Sequence, residues 1–485
     1  MPVNLNKPPK DVDITSAEYQ MMLDNLQANI LRAHGRNFAR HVFVRFAAAP
    51  AAVKAWIRDS LGPTVTTAKA QFDQIARRRQ EPGFDGGLVT GFFLSAKGYT
   101  TLGYDTDHFA SGTFRSGMKE QGDNFVEHIL DTTNKDPHPD KWEAGFRSEI
   151  HALITLADTH ENVVKEAAEA MRASVAGIGE VLTIEEGTVL RRVNAAGDRE
   201  PVEHFGYFDG ISNPLFTKQD LDEELPENKA RVAWDAGARM SLVLTDDPFT
   251  TEVDAFGSYL VYRKLGQDVG TFNERVKALA AALSIDEHLA GAMVVGRFKD
   301  GTPVLKANQH SPSAEVANDF NFTEDREGIK CPFHAHIRKV NPRGTTPLTS
   351  FESERRRRIV RRGIPYGKPL PGVADPMDAD PNPAAPRGLL FMCFQQNVEE
   401  QFEFIQRTWV DNEHFPTGIP TLGILQRDTG DDPLIGQDLN ESQRWPKIWG
   451  NKDGGKKSFN FESAISLKGG EYFFAPSLPF LKSLS

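Results

Sequence analysis

One arrangement recurs four times along the chain and narrows the folds open to it: a short apolar strand running into an amphipathic helix. HVFVRF (41–46) leads into PAAVKAWIRDSL, and IHALITLA (150–157) into HENVVKEAAEAMRASV. GSYLVYRKL (257–265) leads into VGTFNERVKALAAAL, and GLLFMCFQ (388–395) into NVEEQFEFIQRTWV. In the helices the apolar residues return at three- and four-residue steps, as in Val163, Val164, Ala167, Ala168 and Met171. A strand feeding a helix that must cover it is half of a β-α-β-β-α-β unit, and two such pairs with strands between them make one ferredoxin-like domain. Four pairs predict an α+β chain of two ferredoxin-like domains, 1–220 and 221–485. The boundary is expected near 215–240, where QDLDEELPENKAR is acidic and polar. A second irregular stretch, 363–388, carries seven prolines and reads as an ordered loop of the second domain.

Composition removes several functions. A net charge of −11 disfavours nucleic-acid binding, which depends on clustered cations. Two cysteines, Cys331 and Cys393, cannot build a disulfide framework or a Cys-rich metal site, and they fit a reducing compartment. The N-terminal MPVNLNKPPKDVDITSAEYQ has no apolar h-region, and no apolar run is long enough to span a bilayer. The expected location is the cytoplasm, with no membrane partner. Metalloprotease HExxH, Rossmann GxGxxG after a strand, P-loop and GxSxG signatures are all missing.

Three dense stretches remain. HFGYFDGISNP (204–214) sets Asp209 among Phe205, Tyr207 and Phe208 and between two glycines; it reads as a turn, yet a carboxylate among rings needs a partner or a task. CPFHAHIRKVNPR (331–343) holds two histidines that would point the same way in an extended segment and diverge in a helix. FESERRRRIVRRGIPYG (351–367) places six arginines between 355 and 362; Arg355 to Arg358 read as a solvated face, whereas Arg361 borders an apolar strand and is expected to point inward. A buried Asp, a His near arginines and an inward Arg suit a haem site, which needs an axial imidazole, apolar walls and cations for its propionates.

With these segments in hand the chain resembles the dye-decolorizing peroxidase family. The resemblance rests on the GxxDG motif (Gly206 to Gly210), CPFHAHIRKVNPR, IVRRGIPYG, and GLLFMCFQ followed by QRTWVDN. LQANILRAHGR, GRFKDGTPV and GGEYFFAPSLPFL join them in the family's order over nearly the whole length. Length and the lack of a signal are closest to the larger intracellular bacterial members. The resemblance implies two ferredoxin-like domains of the dimeric α/β-barrel superfamily, with one haem b in the C-terminal domain. It implies His336 as the iron ligand, with His334 a departure where the family carries a small residue. Asp209 is implied as the acid–base group and Arg361 as the residue that stabilises charge. His204 and Arg343 match propionate contacts, Gly210 belongs to the haem-side motif, and Leu389 and Phe391 match the apolar pair of the access route. Tyr366 and Trp409 match positions tied to surface oxidation or electron relay. The expected partners are hydrogen peroxide and aromatic donors such as anthraquinone and azo dyes or phenols, with the chain a monomer or homodimer. The alternatives are a haem-binding or haem-handling protein with incidental peroxidase activity, and a non-haem protein whose basic run binds a polyanion.

Overall fold

Apolar and β-branched runs become eight principal strands: β1 (Phe38–Phe46), β2 (Val89–Leu94), β3 (Ala152–Asp158), β4 (Gly179–Thr188), β5 (Phe256–Gln267), β6 (Ile364–Tyr366), β7 (Gly388–Gln395) and β8 (Ile465–Ala475). The helices that cover them include α1 (Pro50–Trp56), α2 (Glu161–Val175), α3 (Val269–Leu283), α4 (Glu287–Val295) and the short α5 (His336–Val340). All four strand–helix units of the sequence are present; after β7 the helical segment is wound as the π-type turns Glu399–Glu403 and Ile405–Val410. The computed structural model describes residues 2–119, 136–194, 197–224, 233–310, 318–346, 349–374, 379–416, 429–437 and 442–485. Part of the expected domain boundary (225–232) and part of the proline-rich stretch (375–378) lie outside these residues.

In the first half the strand order is β2-β3-β1-β4, and in the second β6-β7-β5-β8, every neighbour antiparallel. Counted within each half, both orders read 2-3-1-4, the ferredoxin-like arrangement, so the molecule is two such domains. The halves join where Phe474 of β8 pairs with Leu94 of β2. On the far side Ile364 of β6 lies against Gly187 of β4, where a Cβ would meet the isoleucine at 2.4 Å. The two sheets thus face each other around a shared interior. Across it Lys264 of β5 reaches Glu185 of β4 at 2.7 Å, and the Tyr262 hydroxyl lies 3.2 Å from His41 Nδ1 of β1.

β5 is buried along its whole length, because both of its faces are covered. Tyr262 and Lys264 face the barrel interior, and the alternating Arg263, Leu265 and Gln267 face the outer side, beneath the second half's helices. There a second apolar core gathers around Phe272, Val276, Leu279, Met293 and Phe298. α3 begins at Asp268, whose carboxylate accepts from Thr271 N, and stops at Ser284, whose φ is +58°. The proline-rich stretch is less irregular than expected: its first residues form β6, whose register pairs Pro365 with Leu389 on β7. Among the described residues no single helix is long and apolar enough to cross a membrane.

Candidate active site

Between the second sheet's outer face and its helices lies a cavity of about 300 Å³. Asp209, Gly210, His336, Arg343, Arg361, Leu389 and Phe391 all line it. Residues separated by up to nearly two hundred positions are brought to one wall.

Asp209 is placed by a turn built on Glu203. The Glu203 amide donates to Tyr207 O at 3.1 Å, and Gly206 N donates back to Glu203 O at 2.9 Å. The Glu203 carboxylate then accepts from Phe205 N and Tyr207 N, both at 2.9 Å, and from Gln267 Nε2 at 2.6 Å. Gly206 and Gly210 hold φ of +86° and +89°, the left-handed region that side chains resist. Burial raises the pKa of Glu203, because these donors only partly repay its desolvation. Asp209 is less enclosed than the sequence suggests: its side chain is 35% exposed. Phe205, Tyr207 and Phe208 line the cavity beside it, and Phe205 also stacks on Phe272 at 4.1 Å.

Arg361 precedes β6 and pairs with Cys393 of β7. Its amide donates to Asn213 Oδ1 at 3.1 Å and its Nη2 to Ile211 O at 2.5 Å, which ties it to the loop after the Asp-Gly turn. Nη1 then stands 3.7 Å from Asp209 Oδ1, an ion pair longer than a hydrogen bond. The neighbouring arginines depart from a solvated face. Only Arg356 stands in water; Arg355 and Arg357 are about four-fifths covered. Arg358 lines the cavity and donates to Gly237 O at 3.0 Å, and burial pulls its pKa down to about 9.

The two histidines of CPFHAHIRK part company because the helix starts between them. His336 is the first residue of α5 and faces the cavity. Its Nδ1 donates to Asp432 Oδ2 at 2.8 Å, which leaves Nε2 as the ring's lone-pair atom. His334 is fully buried, donates from Nδ1 to Thr429 O at 2.9 Å, and meets Trp445 edge-on at 4.2 Å. α5 itself is pinned by Arg338, buried between the rings of Phe322 and Phe333 and paired with buried Asp325 at 3.0 Å.

Arg343 holds φ +57°, donates to Asn318 O and Phe320 O at 2.8 Å each, and lies over the Phe320 ring at 4.0 Å. Its Nη2 and that of Arg297 converge on Asn318 Oδ1 at 2.7 and 3.1 Å. His204 is not brought to the cavity: it is fully buried and donates from Nε2 to Tyr366 O at 2.8 Å. Tyr366 and Trp409 are buried as well, 8% and 3% exposed, so neither offers a surface for direct contact with a bulky donor. Trp409 stacks on Phe415 at 5.1 Å.

Sequence reasoning missed Asp432, Glu203, Arg297 and Arg263, all at or beside this cavity. Asp432 pairs with His336 across 96 positions, and Asp431-Asp432 carries no local signature that separates it from a polar loop.

The residues present fit a haem. An imidazole whose second nitrogen is held by a carboxylate is the usual arrangement of a metal-ligating histidine. Leu389, Phe391, Phe402, Ile405 and Leu434 supply apolar walls, and Arg297 and Arg343 supply cations.

Known proteins similar to this chain are dye peroxidases. Residues 200–416 match the family profile described as Dyp-type peroxidase, C-terminal. The multifunctional dye peroxidase DyP2 of Amycolatopsis sp. is 37% identical over 477 residues, covering 97% of both chains. The dye-decolorizing peroxidase AauDyP1 of Auricularia auricula-judae is 29% identical and covers 97% of this chain and 88% of its own. Among solved structures, a DyP-type peroxidase of Anabaena sp. superposes with a TM-score of 0.87 at 39% identity, covering 99% of this chain and 98% of that one.

Proposed function

Because the chain belongs to the DyP-type peroxidase family, a haem-dependent family of dye-decolorizing peroxidases, we propose that its cavity holds one haem b, with His336 Nε2 on the iron. The haem, when bound, would supply the metal that accepts hydrogen peroxide and the redox capacity to take its oxidising equivalents. The rest belongs to the chain. Asp432 keeps the His336 proton on Nδ1, and so keeps Nε2 free to ligate. Arg343 and Arg297 would hold the propionates, and Leu389 and Phe391 would border the route by which peroxide enters.

Asp209 takes the proton from the near oxygen of peroxide and returns it to the far one, so that water leaves. Arg361, 3.7 Å away, pairs with that carboxylate and opposes the negative charge that builds as the O–O bond lengthens. The single observation that carries this reading is the meeting of a carboxylate-held imidazole and an Asp–Arg pair in one cavity.

Dyes of the anthraquinone and azo classes and phenols are the proposed donors. Buried Tyr366 and Trp409 are proposed to pass electrons rather than to touch such molecules; unchanged turnover of a bulky dye after replacing both would remove that role. We place the domain boundary at 220/221 and the protein in the cytoplasm, where two buried free cysteines would stay reduced. The test is the rate of reaction with peroxide, by stopped flow, in the haem-loaded protein. Asp209→Asn is expected to slow it by about 10²- to 10⁴-fold, and Arg361→Leu by about 10²- to 10³-fold. Wild-type rates in both variants would move the function to haem binding.

A further inference from the structure

Inside the barrel, away from the cavity residues already assigned, a phenol and an imidazole face each other. Tyr262 is fully buried, His41 is 3% exposed, and the Tyr262 hydroxyl lies 3.2 Å from His41 Nδ1. Phe43 meets the Tyr262 ring edge-on at 4.9 Å and Phe146 stacks on it at 6.2 Å, so water is excluded from the ring's faces. Desolvation pushes the His41 pKa down to about 3, which keeps the imidazole neutral with a lone pair available. The next residue on β5, Arg263, and then Leu265, line the cavity from the other face of the same sheet. One strand layer therefore separates the phenol's side of β5 from the cavity.

We propose that Tyr262 and His41 form a redox pair that holds one oxidising equivalent of the peroxidase reaction inside the barrel. This rests on the haem peroxidase reading above. Reduction of one peroxide to water leaves a two-electron deficit in the cavity, and the phenol supplies one of those two electrons. Its O–H bond breaks, the proton forms an N–H bond at His41 Nδ1, and a neutral tyrosyl radical remains beside an imidazolium. The oxidant is peroxide, the co-substrate of the family's reaction. An oxidised phenol is a far stronger acid than imidazolium, so even a desolvated imidazole takes the proton. A later electron from a donor, with return of the proton, restores the pair. A second buried phenol, Tyr472, donates to Glu403, whose carboxylate also pairs with the Arg407 guanidinium at 2.7 Å, and it is the competing site that the experiment separates from Tyr262.

The experiment is electron paramagnetic resonance of the haem-loaded protein, frozen after one equivalent of peroxide, alongside its absorption spectrum. A tyrosyl signal that narrows with ring-deuterated tyrosine, disappears in Tyr262→Phe and persists in Tyr472→Phe is the expected result. His41→Phe is expected to abolish it too, because the proton then has no acceptor. Pulsed measurements on the unsubstituted protein in D₂O should show a strongly coupled exchangeable deuteron hydrogen-bonded to the phenoxyl oxygen, whatever the variants' folding. A signal that survives in Tyr262→Phe, follows Tyr472 or lacks that deuteron overturns the pair while leaving the peroxidase reading intact. An absorption spectrum indifferent to peroxide overturns both.

Discussion

At His336 the Nδ1 proton is committed to Asp432, and Asp432 is itself held, its Oδ1 accepting from Leu434 N at 2.8 Å and Ile435 N at 3.3 Å. A ligand oriented by a carboxylate is both better aimed and more electron-rich. Asp432→Asn is therefore expected to weaken haem binding by about 10- to 100-fold and to raise the iron reduction potential; a haem titration and a redox titration read these directly, and unchanged values would show that Asp432 only packs. At the Asp209 turn the constraint is steric instead. Gly206 sits at φ +86°, so Gly206→Ala should cost about 1–2 kcal/mol in urea unfolding and should slow the peroxide reaction by shifting Asp209. A variant as stable and as fast as the parent would mean that the turn tolerates a Cβ.

The element that carries Arg361 is fastened to the first domain by its neighbour. Arg362 is half-buried, and desolvation draws its pKa down to about 9; it donates to Asn29 O at 2.7 Å, Ile30 O at 2.9 Å and Arg361 O at 2.9 Å. Arg362→Met strands three carbonyls and should cost at least about 2 kcal/mol, with Arg362→Lys recovering part of it; equal stability of both variants with the parent would contradict the clamp. Strand and helix identities were legible because periodicity is local: every strand–helix pair read from 41, 150, 257 and 388 is present. What periodicity could not show was long-range closure, such as β8 meeting β2 or Ile364 seating on Gly187. The same limit explains the site. Asp209, His336 and Arg361 stand in motifs and were read; Asp432 and Glu203 act through partners distant in sequence or through backbone amides, and left no pattern. Arg358, which the run of charges places on a solvated face, instead turns its guanidinium back toward Gly237.

At the scale of the whole molecule, buried titratable groups make stability depend on pH in two opposing ways. His204 is held neutral, its pKa pushed down to about 4 by burial. Its contribution is complete above about pH 6.5 and is lost as pH falls toward 4, at about 1.4 kcal/mol per unit. The cost of His204→Phe should therefore shrink on acidification. Asp411, buried, has its carboxyl pushed up to about 7, so its contribution is present at acid pH and is lost as pH rises toward 7. Urea unfolding of Asp411→Asn should thus show its largest cost near pH 4 and its smallest above 7; parallel pH profiles for both variants would contradict these assignments. The central claim concerns the cavity, and one measurement reaches it most directly: the absorption spectrum of the chain titrated with haem, then mixed with one equivalent of hydrogen peroxide, for the wild type and His336→Ala. The account predicts a saturable Soret band in the wild type that changes at once with peroxide, and in His336→Ala a band that is weakened or shifted and no longer responds. A wild-type Soret band that ignores peroxide, or a variant indistinguishable from the wild type, would contradict it.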